Sequence, residues 1–395
     1  MATWDKVRGT LPWVPAYCWQ RAVRRSPRVK PVHLIITLAD HFEPGILPHA
    51  EGKLAARSLQ EQRLERWCKD YPRAVEDWPD HDGRTFRHTY FYPAEQYDKG
   101  LIDLLAQHCH EGWGEIEVHL HHGLEKPDTA ETTRQRLCEF RDALVGHGCL
   151  SQLDGRGGPR YAFVHGNFAL ANSMQGRCCG VDSEIEVLAH TGCYADFTLP
   201  SSPNPAQISK INSLYECNWP LYRKGAHYDG RDLRSGRFSP MLPLMIQGPL
   251  LLDFSRRSRH WPLPTVENGA LTGSRPATMG RLKMWTNAAI GVEGRPDWIF
   301  IKLHCHGMDP RDHDAMLGAS IRGFLREIKE QSRDGKEYQI HYVTAREMTN
   351  LAMAACDGCE GNPNDFRDYR LELIKQGNAR RSLSDALRNL DSVVA

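Results

Sequence analysis

Residues 32 to 44 read VHLIITLADHFEP, in which a near-continuous apolar run, residues 32–38, leads into a short polar cluster. A run of this kind is typical of a β-strand that is buried on both faces of a parallel sheet. The polar residues Asp40, His41 and Glu43 would then follow the carboxyl end of the strand. Active residues of parallel α/β folds gather at that end, so this stretch indicates both the fold and the place of a site.

The same strand pattern recurs along the chain and alternates with amphipathic helices. The predicted strands are residues 32–38, 87–92, 115–120, 161–164, 193–199, 298–303 and 338–343. The predicted helices are residues 53–70, 94–108, 129–145, 183–190, 313–328 and 344–353. Strands that alternate with helices favour an α/β fold with a mostly parallel sheet, either open or closed into a barrel.

The length of the chain agrees with a barrel that carries additions. Its 395 residues are enough for two or three average domains, but also for one α/β barrel with insertions. Between residues 200 and 291 the periodic pattern loosens and prolines and glycines are frequent, which predicts a long insertion. We expect a single domain with an N-terminal extension (1–30), a barrel (31–355) with the insertion at about 200–291, and a peripheral helical tail (356–395).

Charge and composition exclude several classes of function. Lys and Arg number 50 and Asp and Glu 49, so the net charge of +1 offers no basic surface for nucleic acid or an anionic membrane. No apolar stretch reaches the 18 residues that a transmembrane helix needs. The N-terminus lacks the apolar core of a secretory signal, and the 12 cysteines are scattered. We expect a cytoplasmic protein with free thiols, and the oligomeric state stays open.

Histidines are the most informative residues of the chain, because imidazole is the commonest metal ligand. His119 and His121 are two apart on a predicted strand, so they share a face, and Asp40 could add an oxygen ligand for a divalent metal. His304 and His306 could protonate a leaving group. Of the 19 histidines, seven lie at or just past the ends of predicted strands: His41, His119, His121, His122, His165, His304 and His306.

The order of these motifs resembles the polysaccharide deacetylase superfamily (NodB-like, carbohydrate esterase family 4), whose fold is an irregular (β/α)7-type barrel. The position of the family's second imidazole ligand falls on Gly123, so either His121 or His122 takes its place. The resemblance runs from about residue 31 to about residue 350. Its motifs match residues 37–40, 119–122 and 164–167, residues 303–304 with His306 beyond, and the cluster around Asp196.

The resemblance also implies roles for single residues. The family's first motif has an aspartate where this chain has Ala39, so either the general base is missing, or Asp40 is the base and His41 takes the metal. The implied cofactor is a divalent metal, zinc first, with cobalt, nickel or iron as alternatives. The implied residues are Asp40, His304, His306 and Asp196 for catalysis, Asp40, His119 and His121 for the metal, and His41, His165 and Asn167 for substrate.

These residues favour a metal-dependent hydrolase of amides, most simply one that removes the N-acetyl group of an acetamido sugar in a polysaccharide or glycan precursor. A near-zero net charge agrees with a carbohydrate partner. One alternative is a glycosidase or another carbon–nitrogen hydrolase, with Asp40 and either Asp196 or Glu43 as its carboxylate pair. Another is a non-catalytic carbohydrate-binding protein that has lost its base, which Ala39 would explain.

Overall fold

The computed structural model describes residues 3–24, 29–50, 52–237, 240–258 and 261–374, and within them one twelve-stranded sheet dominates. The strands are β1 (Val32–His41), β2 (His88–Pro93), β3 (Gly114–Leu120), β4 (Ser151–Leu153), β5 (Arg156–His165), β6 (Cys193–Asp196), β7 (Leu214–Cys217), β8 (Gly230–Asp232), β9 (Leu244–Ile246), β10 (Leu251–Ser258), β11 (Trp261–Glu267), β12 (Trp298–Cys305), β13 (Tyr338–Tyr342) and β14 (Leu371–Leu373). The helices are α1 (Thr3–Arg8), α2 (Val14–Val23), α3 (Arg57–Val75), α4 (Lys99–His108), α5 (Ala130–Gly146), α6 (Glu184–Thr191), α7 (Met279–Asn287), α8 (His313–Leu317), α9 (Ala319–Gln331) and α10 (Ala345–Cys356).

Seven strands of the described part run parallel in the order β12-β1-β2-β3-β5-β6-β9. β13 is parallel to β1 and pairs with its first half, whereas β2 pairs with its last residues. β7 and β8 continue the sheet beyond β9 in antiparallel fashion. The predicted mixed α/β fold with a large, mostly parallel sheet is therefore confirmed.

Closure of the sheet into a barrel is not seen among the described residues, because no hydrogen-bonded ladder joins β12 to β9. The free edge of β12 is met instead by an isolated bridge between Ala270 and His304. Lys302 of β12 also reaches across, and its Nζ donates to the carbonyl oxygen of Leu199 at 3.2 Å. The free edge of β12 is thus contacted by residues of two loops, and not by a further strand of the parallel sheet.

Alternate residues of β1 face two different apolar cores. Leu34, Ile36 and Leu38 belong to the core that includes residues of α3 and α4, whereas Ile35 and Ala39 belong to a second core on the opposite face. Because neighbouring residues of a strand point to opposite faces, this alternation fixes the direction of every polar residue at the end of β1.

The residues before β1 pack on the region predicted as an insertion. Trp13 is buried, and its indole Nε1 donates to Ser202 Oγ at 3.0 Å. Gln20 donates through Nε2 to the carbonyl oxygen of Ile211 at 2.8 Å. The 200–291 region itself contains β7 to β11 and α7, and it supplies β9 to the parallel part of the sheet.

The helix predicted at 313–328 and the described part of the predicted helical tail differ from the structure in detail. The helix predicted at 313–328 is two helices, α8 and α9, which separate at Gly318, where a Cβ would lie 1.9 Å from Asp314 Oδ1. The predicted helical tail includes residues 375–395, which lie outside the described residues, while β14 just before them pairs with β4. Across the described ranges, no helix is both long enough and apolar enough to cross a membrane.

Candidate metal centre

Three side chains converge at the carboxyl ends of β1 and β3. Glu43 Oε1 lies 3.5 Å from His119 Nε2 and 3.1 Å from His121 Nε2, and one ligand atom from each of the three lies within 4.8 Å of the others. The two imidazoles meet there because they are two residues apart at the end of β3 and therefore share a face. The structure thus brings His119 and His121 together, with Glu43 as the neighbouring carboxylate. We call these three residues the metal centre.

The outer nitrogens of both imidazoles are held by acceptors. His119 Nδ1 is 2.9 Å from the carbonyl oxygen of Val164, and His121 Nδ1 is 2.6 Å from Glu95 Oε1. A carbonyl oxygen can only accept, so Nδ1 of His119 carries the ring proton and its Nε2 presents a lone pair. Nε2 of His119 is buried and has no hydrogen-bond partner in the described residues. Metal-binding histidines are oriented in this way, so the set could hold a divalent metal.

The charges at the metal centre are strongly coupled. Burial alone would raise the pKa of Glu43, but the close contacts with the His119 and His121 imidazoles outweigh it and hold this pKa below its usual range. Burial alone would lower the pKa of His121, but Glu43 and Glu95 raise it to about 10. Two imidazoles and one carboxylate are ligands that zinc and related divalent metals accept. A metal ion would have to displace the proton that His121 holds towards Glu43.

A second group of imidazoles borders the metal centre. The ring of His41 has its centroid 4.9 Å from that of His119, 4.8 Å from that of His306 and 6.4 Å from that of His304. Both ring nitrogens of His41 are buried and lack hydrogen-bond partners among the described residues. Burial, with the nearby charge of His306 and His119, holds the pKa of His41 well below its usual range. His41 is therefore a neutral imidazole.

Asp40, expected as a metal ligand and general base, lies elsewhere. It forms a separate buried group with His88 and Cys305, in which His88 Nε2 is 3.0 Å from Asp40 Oδ2. The backbone N–H of Gly307 donates to Asp40 Oδ1 at 2.7 Å. β1 extends to His41, so Asp40 is still part of the strand and points away from the face that carries His41. The carboxylate at the metal centre is consequently Glu43.

The remaining predicted residues are spread over three places. Asp196 is buried, its carboxylate accepts from the backbone N–H and Oγ1 of Thr198, and burial raises its pKa to about 7. His304 is buried and His306 is half-buried beside His41. His165 lies with His122 in another buried cluster, and the half-buried Asn167 donates its backbone N–H to His165 Nδ1 at 3.3 Å.

The sequence does not indicate that Glu43 lies beside His119 and His121, and it gives no role to Glu95. From the sequence, Glu43 is a candidate only as half of a glycosidase pair, although it stands in the same polar cluster as His41. Glu95 follows β2 by two residues, so the strand-end rule that selected the histidines would also have selected it. Its role depends on the position of His121 across the sheet, which the sequence does not give.

A cleft of about 750 Å³ adjoins the metal centre. Glu95 and His121 form part of its wall, and the exposed side chain of Tyr97 and the charged side chains of Arg136 and Glu139 form other parts. A ligand in this cleft would meet hydrogen-bonding groups, the ring of Tyr97 and the imidazole of His121.

No protein-family model and no curated protein matches the sequence. Among solved structures, the chain is similar to a Mycobacterium smegmatis protein provisionally described as a polysaccharide deacetylase. The two are 13% identical over 84% of this chain and 95% of the other, with a TM-score of 0.42. At that identity and score, the activity of this chain has to be argued from its own residues.

Proposed function

We propose that the protein is a metal-dependent hydrolase that removes the acetyl group from the amide of an acetamido sugar. The observation that carries the proposal is the meeting of Glu43, His119 and His121, with Glu95 and the carbonyl oxygen of Val164 fixing the two rings. A divalent metal held there supplies a Lewis acid for the amide carbonyl and lowers the pKa of a bound water.

Proton transfer falls to the neighbouring imidazoles. His41 lies beside His119 and both of its ring nitrogens lack hydrogen-bond partners among the described residues, so it is placed to accept the proton of the attacking water. His306, half-buried and next to His41, is suited to donate a proton to the departing nitrogen. His304 suits this second role less well, because burial and the nearby charge of Lys302 hold its pKa well below its usual range.

The sugar would occupy the cleft beside His121. An uncharged glycan needs hydrogen bonds and an aromatic surface, and the cleft offers Glu95, Arg136, Glu139 and the ring of Tyr97. With a net charge of only +1, the protein has no excess of positive charge that would favour an anionic substrate.

The geometry is less favourable to the two other functions. A glycosidase needs two carboxylates that face one sugar, whereas Asp40 and Asp196 are both buried and hydrogen-bonded within the protein. A binding protein without a base was suggested by Ala39, but His41 on the same face of β1 offers another base.

The test is acetate release from N-acetylated oligosaccharides by protein reconstituted with zinc or cobalt. We expect release by the wild type, at least a hundredfold less by Glu43→Gln, and no change in Glu61→Gln, which alters an exposed carboxylate of α3. Metal-loaded wild type that releases no acetate would refute the proposal. Retained glycan binding in that case would support a binding protein instead.

A further inference from the structure

A second buried cluster of metal-ligand side chains lies apart from the metal centre. It consists of His122, His165, Cys179 and Glu184, and we call it the second cluster. One ligand atom from each residue lies within 4.8 Å of the others, and all four residues are buried. The four come from separate segments: the loop after β3, the end of β5, the loop before α6 and the first residue of α6.

Within the second cluster, one imidazole nitrogen has no hydrogen-bond partner among the described residues. Glu184 Oε1 is 2.8 Å from His122 Nε2 but 3.8 Å from His165 Nε2, and Glu184 Oε2 is 3.6 Å from Cys179 Sγ. Within the described residues, His165 Nε2 is buried and has no hydrogen-bond partner. An unpaired polar atom in the interior is costly, and a cation between the four side chains would pair it.

The surroundings of the second cluster suit a bound cation. His122 Nδ1 lies 3.2 Å from Asp128 Oδ2, a carboxylate–imidazole contact that aims Nε2 inward. The backbone N–H of Ala171 donates to Glu184 Oε2 at 2.7 Å, and that of Val181 donates to Cys179 Sγ at 3.4 Å. These donors would stabilise a carboxylate and a thiolate.

The charge and the donor types select the metal. A thiolate, a carboxylate and two neutral imidazoles carry two negative charges, which one divalent cation cancels, so the buried site becomes neutral overall. Zinc binds cysteine sulfur, histidine nitrogen and glutamate oxygen, and structural zinc sites hold it with four protein ligands. Ligation through Nε2 places the proton of His165 on Nδ1, so the 3.3 Å contact from the Asn167 N–H must open.

We infer that the second cluster is a structural site for zinc or a similar divalent cation, formed by His122, His165, Cys179 and Glu184. It connects the loop that carries His121 and His122 to the segment at 166–182. The two are already joined where Cys178 N–H donates to the carbonyl oxygen of Gly123 at 2.9 Å. His121 and His122 leave β3 in opposite directions, so one end of a strand supplies neighbouring ligands to two separate metal sites.

The test uses zinc-saturated protein, metal analysis and X-ray absorption. We expect two zinc ions per chain and a sulfur scatterer at about 2.3 Å from zinc, because the metal centre contains no sulfur and the second cluster contains Cys179. Glu43→Gln should lose one zinc and keep the sulfur signal. Cys179→Ser should lose the sulfur signal, whereas Cys178→Ser, at the adjacent cysteine outside the cluster, should keep it.

Each outcome separates this inference from the proposed function. One zinc without sulfur, lost in Glu43→Gln, would overturn the second site and leave the metal centre. One zinc with sulfur, unchanged in Glu43→Gln, would support the second site and refute the metal centre. A sulfur signal that survives Cys179→Ser would also overturn the inference, because it would come from another cysteine. If Cys179→Ser does not fold, Cys305→Ser provides the test: it should keep the sulfur signal, and a loss would place the zinc in the group of Asp40, His88 and Cys305 and overturn the inference.

Discussion

The carboxylate of Asp40 accepts the backbone N–H of Gly307 at 2.7 Å, and thereby joins the end of β1 to the residues that follow β12. His304 and His306 stand just before that glycine. The approach is so close that a Cβ on Gly307 would lie 2.2 Å from Asp40 Oδ2. Asp40 is thus a positioning residue for the imidazoles beside the metal centre.

Replacing Asp40 should therefore impair catalysis without removing metal. Asp40→Ala leaves the buried N–H of Gly307 unpaired, and we expect acetate release to fall at least tenfold while metal content stays at the wild-type value. Asp40→Asn keeps an acceptor for Gly307 and should retain more activity than Asp40→Ala. Loss of metal from Asp40→Asn, as from Glu43→Gln, would show that Asp40 is a ligand after all.

Glu95 should control the affinity of the metal centre for its metal ion. Glu95→Gln removes the charge that orients and polarises His121 through Nδ1, and loss of such a partner typically weakens metal affinity by about 10- to 100-fold. Competition with a chelator measures the affinity. Glu139→Gln, an exposed carboxylate of the same cleft, is the control and should change it little. Equal affinity in Glu95→Gln and wild type would contradict the role assigned to Glu95.

Glu117 should make stability depend on pH. Burial raises its pKa to about 8, although hydrogen bonds from Tyr194 and the N–H of Ala162 lower it. Because the folded state keeps the proton that the unfolded state releases near pH 4.5, the free energy of unfolding should fall between about pH 4.5 and 8. The slope is about 1.4 kcal/mol per pH unit for one proton.

Urea denaturation at several pH values tests this slope in wild type and Glu117→Gln. The glutamine cannot ionise, but its amide can still accept from the Ala162 N–H and donate to the Tyr194 hydroxyl. Between pH 5 and 8, the free energy of unfolding should fall less steeply in Glu117→Gln than in the wild type. The difference in slope should correspond to about one proton. Identical pH profiles would show that Glu117 ionises in the folded protein much as it does in the unfolded chain.

The segment before β1 should contribute to global stability. Trp13 is fully buried, so Trp13→Ala should cost about 3–5 kcal/mol of unfolding free energy. Trp19 on α2 is 69% exposed, and Trp19→Ala is the matched control with an expected change below about 0.5 kcal/mol. Denaturant unfolding gives both values, and similar small losses in the two variants would mean that the segment unfolds independently of the sheet.

Apolar periodicity was enough to predict the parallel sheet, because each buried strand has to be apolar on both faces. The same rule of alternation placed His119 and His121 on one side of β3. It did not predict that Asp40 lies apart from His119 and His121, because the strand was expected to end at Leu38, where the apolar run ends. Hydrogen bonds from β12 and β2 continue β1 through His41, and those partners are distant in sequence.

Other features depend on packing that no local pattern encodes. The second bond of His121, to Glu95, joins residues 26 positions apart across two strands. The open edge of β12 depends on how residues 269–271 approach it. Neither contact produces a periodic pattern in the sequence. Each depends on the arrangement of the strands in space.

The pairing of β1 also affects how the chain can fold while it is being synthesised. β1 emerges from the ribosome early, but β12 and β13 lie more than 250 residues further on. Until residue 298 is made, a long apolar strand in the middle of the future sheet has one edge without its native neighbour, a state that favours aggregation. Truncated chains that stop before β12 should therefore need chaperones to stay in solution, and folding of the whole protein should be slow because its central contacts are non-local.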